Sequence, residues 1–194
     1  AFLDVTGSEK LFGSGVEIGQ SIRKAVCTET GLTASVGVAP NKFLAKLASD
    51  MDKPDGLTLV PFARDAIVEF LAPLPVGRIW GVGGVTQKHL EAIGIRTVGD
   101  LQRVSMPQLI RSVGEHSAGH LKLLAYGEDA REIVTEHEEK SISKEHTFPK
   151  DVVQRETLRQ VLLTLADEVG TRLRQKERYA SVVRLKLRWQ GFKT

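Results

Sequence analysis

Apolar residues along the chain fall into two rhythms, and the switches between them mark out its elements. Val16, Ile18, Ile22 and Val26 are spaced mainly for a helix, which Thr30-Gly31 closes because glycine accepts a left-handed backbone. A strand is predicted over Leu32–Ala39, and Pro40-Asn41 then opens a second helix with Phe43, Leu44, Leu47 and Met51 along one face. Lys53-Pro54-Asp55-Gly56 is a strong turn signal before a strand at Leu57–Val60, and Ala1-Phe2-Leu3-Asp4-Val5-Thr6 reads as a further strand at the start. Strands alternating with helices predict an α/β layer over residues 1–60.

Residues 61–127 read as helical throughout, broken by Pro73, Pro75 and several glycines, and form a small all-helical unit. Residues 128–139 carry acidic side chains, including Glu136, Glu138 and Glu139, with few apolar anchors, and read as a linker. Over residues 140–194 a strand is predicted at Ile142–Phe148, followed by a helix with Leu158, Val161, Leu162, Leu165, Val169 and Leu173 on one face. Val183, Leu185, Leu187 and Trp189 then alternate with Arg184, Lys186 and Arg188, the period-two pattern of a strand with one apolar and one basic face. The expected architecture is α+β and multi-domain, and no repeat of solenoid period is visible.

Composition narrows the class. With 194 residues, 41% hydrophobic and 26% charged, the chain can fold one or two globular cores. No apolar run approaches the roughly 20 residues of a membrane span, and the start has no signal-peptide pattern, so a cytoplasmic setting without membrane contact is expected. The single cysteine, Cys27, excludes an internal disulfide and lies in an apolar-periodic stretch, where it is expected to pack in the core. Charge is unevenly spread: Lys140–Thr194 holds 13 Lys and Arg against 6 Asp and Glu, a balance of +7, whereas the rest of the chain is net acidic. The basic end is a candidate for contact with a polyanion, although a solvated basic face looks the same in sequence.

The most specific chemical signal is the run Arg78-Ile79-Trp80-Gly81-Val82-Gly83-Gly84-Val85-Thr86-Gln87-Lys88-His89-Leu90-Glu91-Ala92-Ile93-Gly94-Ile95, with helix-like flanks on both sides of its glycines. It reads as a helix-hairpin-helix, in which glycines allow a tight turn and leave backbone N–H groups pointing outward at a helix start, where an anion is favoured. Such a grip holds phosphates and is indifferent to base sequence. A glycine-rich connection without a ligand competes with it. A dinucleotide fingerprint is discounted because that motif must follow a strand. A weaker second copy is expected at Val113-Gly114-Glu115. His116 and His120 stand four apart but lack a third ligand, and His89, His137 and His146 have no triad context, so no metal centre is assigned. Lys42 and Lys46 share one side of their helix, opposite the apolar stripe.

Taken in order, these pieces resemble the Y-family translesion DNA polymerases, most closely the DinB branch. Thr33-Ala34-Ser35-Val36-Gly37-Val38-Ala39-Pro40-Asn41-Lys42-Phe43-Leu44-Ala45-Lys46-Leu47-Ala48-Ser49-Asp50-Met51 is similar to the family's late palm signature, and Lys53-Pro54-Asp55-Gly56 to its habitual sequel. The start resembles the residues following the family's Ser-Ile-Asp-Glu motif, the hairpin its thumb, and Lys140-Ser141-Ile142-Ser143 the entry to its little finger.

The resemblance implies part of an α/β palm at 1–60, an all-α thumb at 61–127, a linker at 128–139 and part of a βαβ little finger at 140–194. It implies error-prone, lesion-tolerant DNA synthesis with Mg²⁺, on primer-template DNA and deoxynucleoside triphosphates, with a sliding clamp as partner of the parent enzyme. The family's metal-binding carboxylates have no counterpart here, so the chain is expected to be an internal piece that binds DNA and does not catalyse. A non-enzymatic helix-hairpin-helix module is the alternative. Lys46 is implied to touch the triphosphate, where it would neutralise charge on the leaving pyrophosphate. Gly81, Val82, Gly83 and Gly84 are implied to hold backbone phosphates, and Ser141, Arg184, Lys186 and Arg188 to reach the duplex from the major-groove side. No catalytic residue and no metal ligand is assigned.

Overall fold

The structure, a computed structural model, describes residues 1–135, 139–189 and 191, and divides into two compact units, Ala1–Val134 and Thr135–Thr194. Glu136, His137 and Glu138 of the acidic segment lie outside the described residues. In the first unit a one-turn helix α1 (Glu9–Phe12) precedes α2 (Gly15–Thr30). Helix α2 starts with a capping box: Ser14 Oγ accepts from the Glu17 amide while the Glu17 carboxylate accepts from the Ser14 amide at 2.6 Å. It stops where the chain turns left-handed at Gly31, φ +70°.

Strands β1 (Val36–Val38) and β2 (Leu57–Leu59) pair in parallel, Val36 opposite Leu57 and Val38 opposite Leu59, and α3 (Lys42–Met51) connects them. Phe43, Leu44, Leu47 and Ala48 are buried on the inner face of α3, with Asn41 capping its start. Helix and strand approach closely at Gly37, where a Cβ would overlap the carbonyl oxygen of Ala45.

The α/β layer is thinner than its sequence pattern predicts. Ala1–Val5 and Leu32–Ser35 carry no ladder, so the expected first strand is absent and the second shrinks to three residues. A strand is a relation between two segments, and alternation alone supplies no partner. Cys27 is exposed, against the expectation of core packing: only Gly19 of α2 is buried, and near its far end Val26 is half-buried while Ile22 and Ala25 are exposed.

Next come α4 (Arg64–Leu71), a 3₁₀ turn (Val76–Arg78), α5 (Gly84–Ala92), α6 (Val98–Arg103), α7 (Met106–Val113) and α8 (Glu115–Ala125). They share one hydrophobic core with α3, in which Phe43, Leu44, Leu71, Leu90, Leu101, Leu109 and Leu124 are almost wholly excluded from water. Each such side chain contributes about 1.5–3 kcal/mol relative to exposure. Both ends of α6 are closed by side chains. Asp100 accepts from the Thr97 and Arg96 amides, which with the Thr97 hydroxyl hold its carboxyl down at about 2. At the other end, Lys122 Nζ donates to the carbonyls of Leu101, Gln102 and Val104 at 2.7–3.0 Å.

The second unit is built on α9 (Arg155–Gln175), whose expected stripe is only half-buried, with Leu162 43% exposed. Among the described residues of this unit no residue is fully buried and no strand forms, so the expected βαβ arrangement is corrected to a helix flanked by irregular chain. Val183, Leu185 and Trp189 are 92%, 67% and 67% exposed, which leaves their alternating pattern without a sheet to join. Ion pairs tie the flanks to one another and to the helix: Lys144 to Glu168 at 2.7 Å and Lys176 to Glu139 at 2.5 Å. Among the described residues the chain is thus mostly helical with one small parallel sheet, and no helix is long and apolar enough to cross a membrane.

Candidate nucleic-acid interface

The glycine turn is mounted on the core from both sides. Ile79 and Val82 are 2% and 9% exposed, and the Val82 amide donates to the Ile79 carbonyl at 3.0 Å, so the turn's two ends are pinned. Upstream, a bridge between Pro75 and Thr97 and the bond from the Val76 amide to the Arg96 carbonyl at 2.8 Å hold the 3₁₀ turn against the start of α6. Between the pins the backbone swings outward. Gly81 has φ +100°, a value that L side chains rarely adopt, and a Cβ there would meet nothing within 4 Å.

Gly83 (φ −82°, ψ 173°) is the N-cap of α5, and no side chain accepts a hydrogen bond there. Gly83, Gly84 and Val85 are all exposed. An uncapped helix start leaves N–H groups and the positive end of the helix dipole facing outward, an arrangement suited to a phosphate. Since the turn follows a 3₁₀ segment and no strand, the dinucleotide fingerprint does not apply. The second glycine connection is also present, with Gly114 (φ +82°) serving both as the end of α7 and the start of α8. His116 and His120 are exposed on α8, and among the described residues no three His, Cys, Asp or Glu side chains are grouped to hold a metal.

Lys46 projects from α3, where its ammonium pairs with Asp50 one turn later. Lys53 Nζ reaches the other oxygen of the same carboxylate at 2.5 Å, and Arg78 Nη1 approaches the Asp50 carbonyl at 3.5 Å. Hydrogen bonds from Lys46 first, and from Lys53 second, hold the Asp50 carboxyl below its usual range. Cations therefore gather around the last turn of α3 with a single carboxylate between the two lysines.

The remaining expected contacts lie in the second unit. Ser141, Arg184, Lys186 and Arg188 are exposed on irregular chain. The structure does not gather Arg184, Lys186 and Arg188 on a sheet face, because the strand that would alternate them has no ladder among the described residues.

Residues 127–134, mostly within the expected linker, hold contacts that their composition does not announce. Asp129 has a side chain only 2% exposed; its Oδ2 accepts from the Phe43 amide at 3.0 Å, and its carboxylate receives the forked guanidinium of Arg131 at 2.6 and 2.9 Å. Burial pushes the Asp129 carboxyl up, and the Arg131 bonds together with the Phe43 amide outweigh it, so the group is held below its ordinary value. The Arg131 guanidinium in turn lies over the Trp80 indole, 4.6 Å from the ring centroid. The one local signal was Asp129 two residues before Arg131, a spacing at which Asp bonds the backbone two positions on.

Comparison with known proteins agrees along the whole chain. Residues 1–50 match the impB/mucB/samB family, residues 64–95 the IMS family HHH motif, and residues 139–194 the impB/mucB/samB family C-terminal domain. A DNA polymerase IV from Desulfatibacillum aliphaticivorans is 38% identical over 192 residues, covering 99% of this chain and 48% of that protein. A DNA polymerase IV from Halorhodospira halophila is 44% identical over 194 residues, covering 100% of this chain and 54% of that protein. The chain thus spans about half the length of the curated relatives it matches. Among solved structures, DinB from Sulfolobus solfataricus aligns with TM-score 0.57 and 34% identity over 64% of this chain and 36% of that one. The insertion ternary complex of Dbh DNA polymerase aligns with TM-score 0.59 and 32% identity, over 68% of this chain and 38% of that one.

Proposed function

We propose, from the premise that the chain belongs to the DinB branch of the Y-family DNA polymerases, that it supplies the duplex grip and a triphosphate contact for DNA-directed, lesion-tolerant DNA synthesis. The observation that carries this reading is the uncapped start of α5 beside the open turn at Gly81, within the residues that match the family's HHH motif. Two or more amides aimed at one phosphate oxygen hold the strand by its backbone, so the enzyme can slide onto any sequence and any lesion-bearing duplex. Gly81, Val82, Gly83 and Gly84 form this grip. In this reading residues 1–60 belong to the palm, 61–127 to the thumb, 128–139 to a linker and 140–194 to the little finger, whose Ser141, Arg184, Lys186 and Arg188 add cations and a hydroxyl toward the duplex.

Lys46 is the triphosphate contact. An anionic triphosphate competes with Asp50 for its ammonium, and Lys53 and Arg78 raise the local positive potential around the same turn. The two Mg²⁺ ions that the family implies find no fit here: among the described residues no three metal-ligating side chains are grouped. The proposed role of this chain is binding without nucleotide joining.

Fluorescence anisotropy with a labelled primer-template duplex at stepped salt tests the grip. With about four phosphates neutralised, the slope of log affinity against log salt is expected near −3.6, from about −0.9 per phosphate. Gly83→Pro deletes one N–H at a φ close to the proline value and should weaken binding about tenfold, the scale of one charge-assisted hydrogen bond. A folded Gly83→Pro chain with full affinity, or an unsubstituted chain that ignores duplex DNA in dilute buffer, would defeat the proposal.

A further inference from the structure

We infer that Arg131 is a positioning residue for the DNA grip: by stacking on Trp80 it locks the glycine turn to the N-terminus of α3. The inference rests on the binding role proposed for the turn and adds a part to it. Ile79 and Val82 anchor the turn's ends in the core, yet Gly81 between them has no neighbour to pack against. A glycine with an open flank restrains nothing by itself, so the orientation of the outward amides depends on what holds Trp80, the residue just before it.

What holds Trp80 is a strap already fixed to α3. Asn41 Nδ2 donates to the Gly127 carbonyl at 2.7 Å, the Phe43 amide donates to Asp129 at 3.0 Å, and Lys42 Nζ donates to the Glu132 carbonyl at 3.0 Å. The strap is therefore tied at three points to the first turn of α3. Asp129, its side chain buried, then orients the Arg131 guanidinium through two bonds, and the guanidinium carbon lies over the indole, 4.6 Å from the ring centroid. A forked, planar cation is needed for this, since it must serve a carboxylate along its edge and a ring across its face. Phe2 leans on Trp80 with a centroid distance of 6.1 Å, and Lys42 Nζ stands 5.4 Å over the Phe2 ring, so the indole is braced from a second direction.

The chain of contacts runs from the helix that carries Lys46 to the turn that carries the phosphate grip. Its consequence is a fixed spacing between nucleotide contact and strand contact. Because Arg131 is already neutralised by Asp129, it serves geometry and not charge: the grip should lose affinity without losing an ionic contact when Arg131 is removed.

The test uses the 194-residue chain and the same duplex at several salt concentrations, with the unfolding midpoint of each variant measured in parallel. Arg131→Ala should weaken duplex binding about fivefold, the scale of one cation–π contact, with the salt slope unchanged. Arg131→Lys should fail to restore it, whereas Trp80→Phe, which keeps a smaller ring, should lose less than Arg131→Ala. Full affinity in the Arg131 variants, whatever their midpoints, overturns the inference. So does a slope reduced by about 0.9, which would mean that Arg131 meets a phosphate itself. If Arg131→Ala does not fold, Arg131→Lys and Trp80→Phe carry the comparison. Should the unsubstituted chain bind no duplex, it is the function of the turn that fails, and the two failures are told apart.

Discussion

Phe43 in the first unit and Leu162 in the second both lie on the apolar face of an amphipathic helix, and both read in the sequence as core-facing. Phe43 is fully buried, because the parallel pair of strands lies against α3 and α4–α8 close over the same core. Leu162 remains 43% exposed on α9, where no partner layer forms among the described residues. Periodicity specifies which face is apolar; it does not specify that anything will cover that face. The first unit is stabilised by full tertiary burial; the second buries only part of its apolar stripe, and the exposed ion pairs at its surface add little.

The sharpest way to break this contrast is truncation at the two positions. Phe43→Ala should cost about 3–5 kcal/mol, because the large void it leaves is enclosed on every side. Leu162→Ala should cost about 1 kcal/mol or less, since much of that side chain is already in water. Amide hydrogen exchange of α3 and of α9, followed separately in rising urea, reads the two losses apart. Equal losses would mean that α9 has a hidden core of its own.

The same contrast governs what could be read from sequence. The stripe on α3, its Asn41 cap and the turn before β2 were legible because each is written within a few residues. The hairpin was legible for the same reason: Gly81 and Gly83 declare a turn locally. Strands are expected at 1–6, 142–148 and, from alternation, 183–189, and none of the three forms, since a ladder needs a second segment that a local pattern cannot name. Asp129, Arg131 and Trp80 escaped notice because what unites them is a contact across about fifty residues of chain, which no local spacing records.

Electrostatics offers a second, smaller separation of the two units. Asp100 is held at about 2 mainly by backbone and side-chain hydrogen bonds from Thr97, whereas Glu168 in the second unit is lowered chiefly by its bond to Lys144. A lowered folded value means that the stabilisation from Asp100 is complete above its ordinary 3.8 and is lost as pH falls toward about 2. Carboxyl titration by NMR at low salt and at about 1 M should move Glu168 back toward its ordinary value and leave Asp100 nearly unmoved, because ions screen an exposed pair and not a capping box. If both groups moved together, the cap would be no better shielded than the surface pairs.

The mildest test adds a methyl group where the second unit can accept it. Gly170 lies inside α9, and a Cβ there would meet only the flexible guanidinium of Arg174 at 3.3 Å. Alanine is favoured over glycine in a helix interior by about 1 kcal/mol, partly because it restricts the unfolded chain. Gly170→Ala should therefore stabilise the second unit by up to about 1 kcal/mol, read as slower hydrogen exchange of the α9 amides. At Gly37 the same replacement would drive a methyl into the backbone of α3, because there the helix already lies against the strand. The opposite signs at these two glycines follow from one fact: α3 is packed tightly on its strand, while α9 has room on the face that holds Gly170. A loss of stability on Gly170→Ala would show that this face is in close contact after all, and the division between a unit held by burial and one held by its helix would no longer stand.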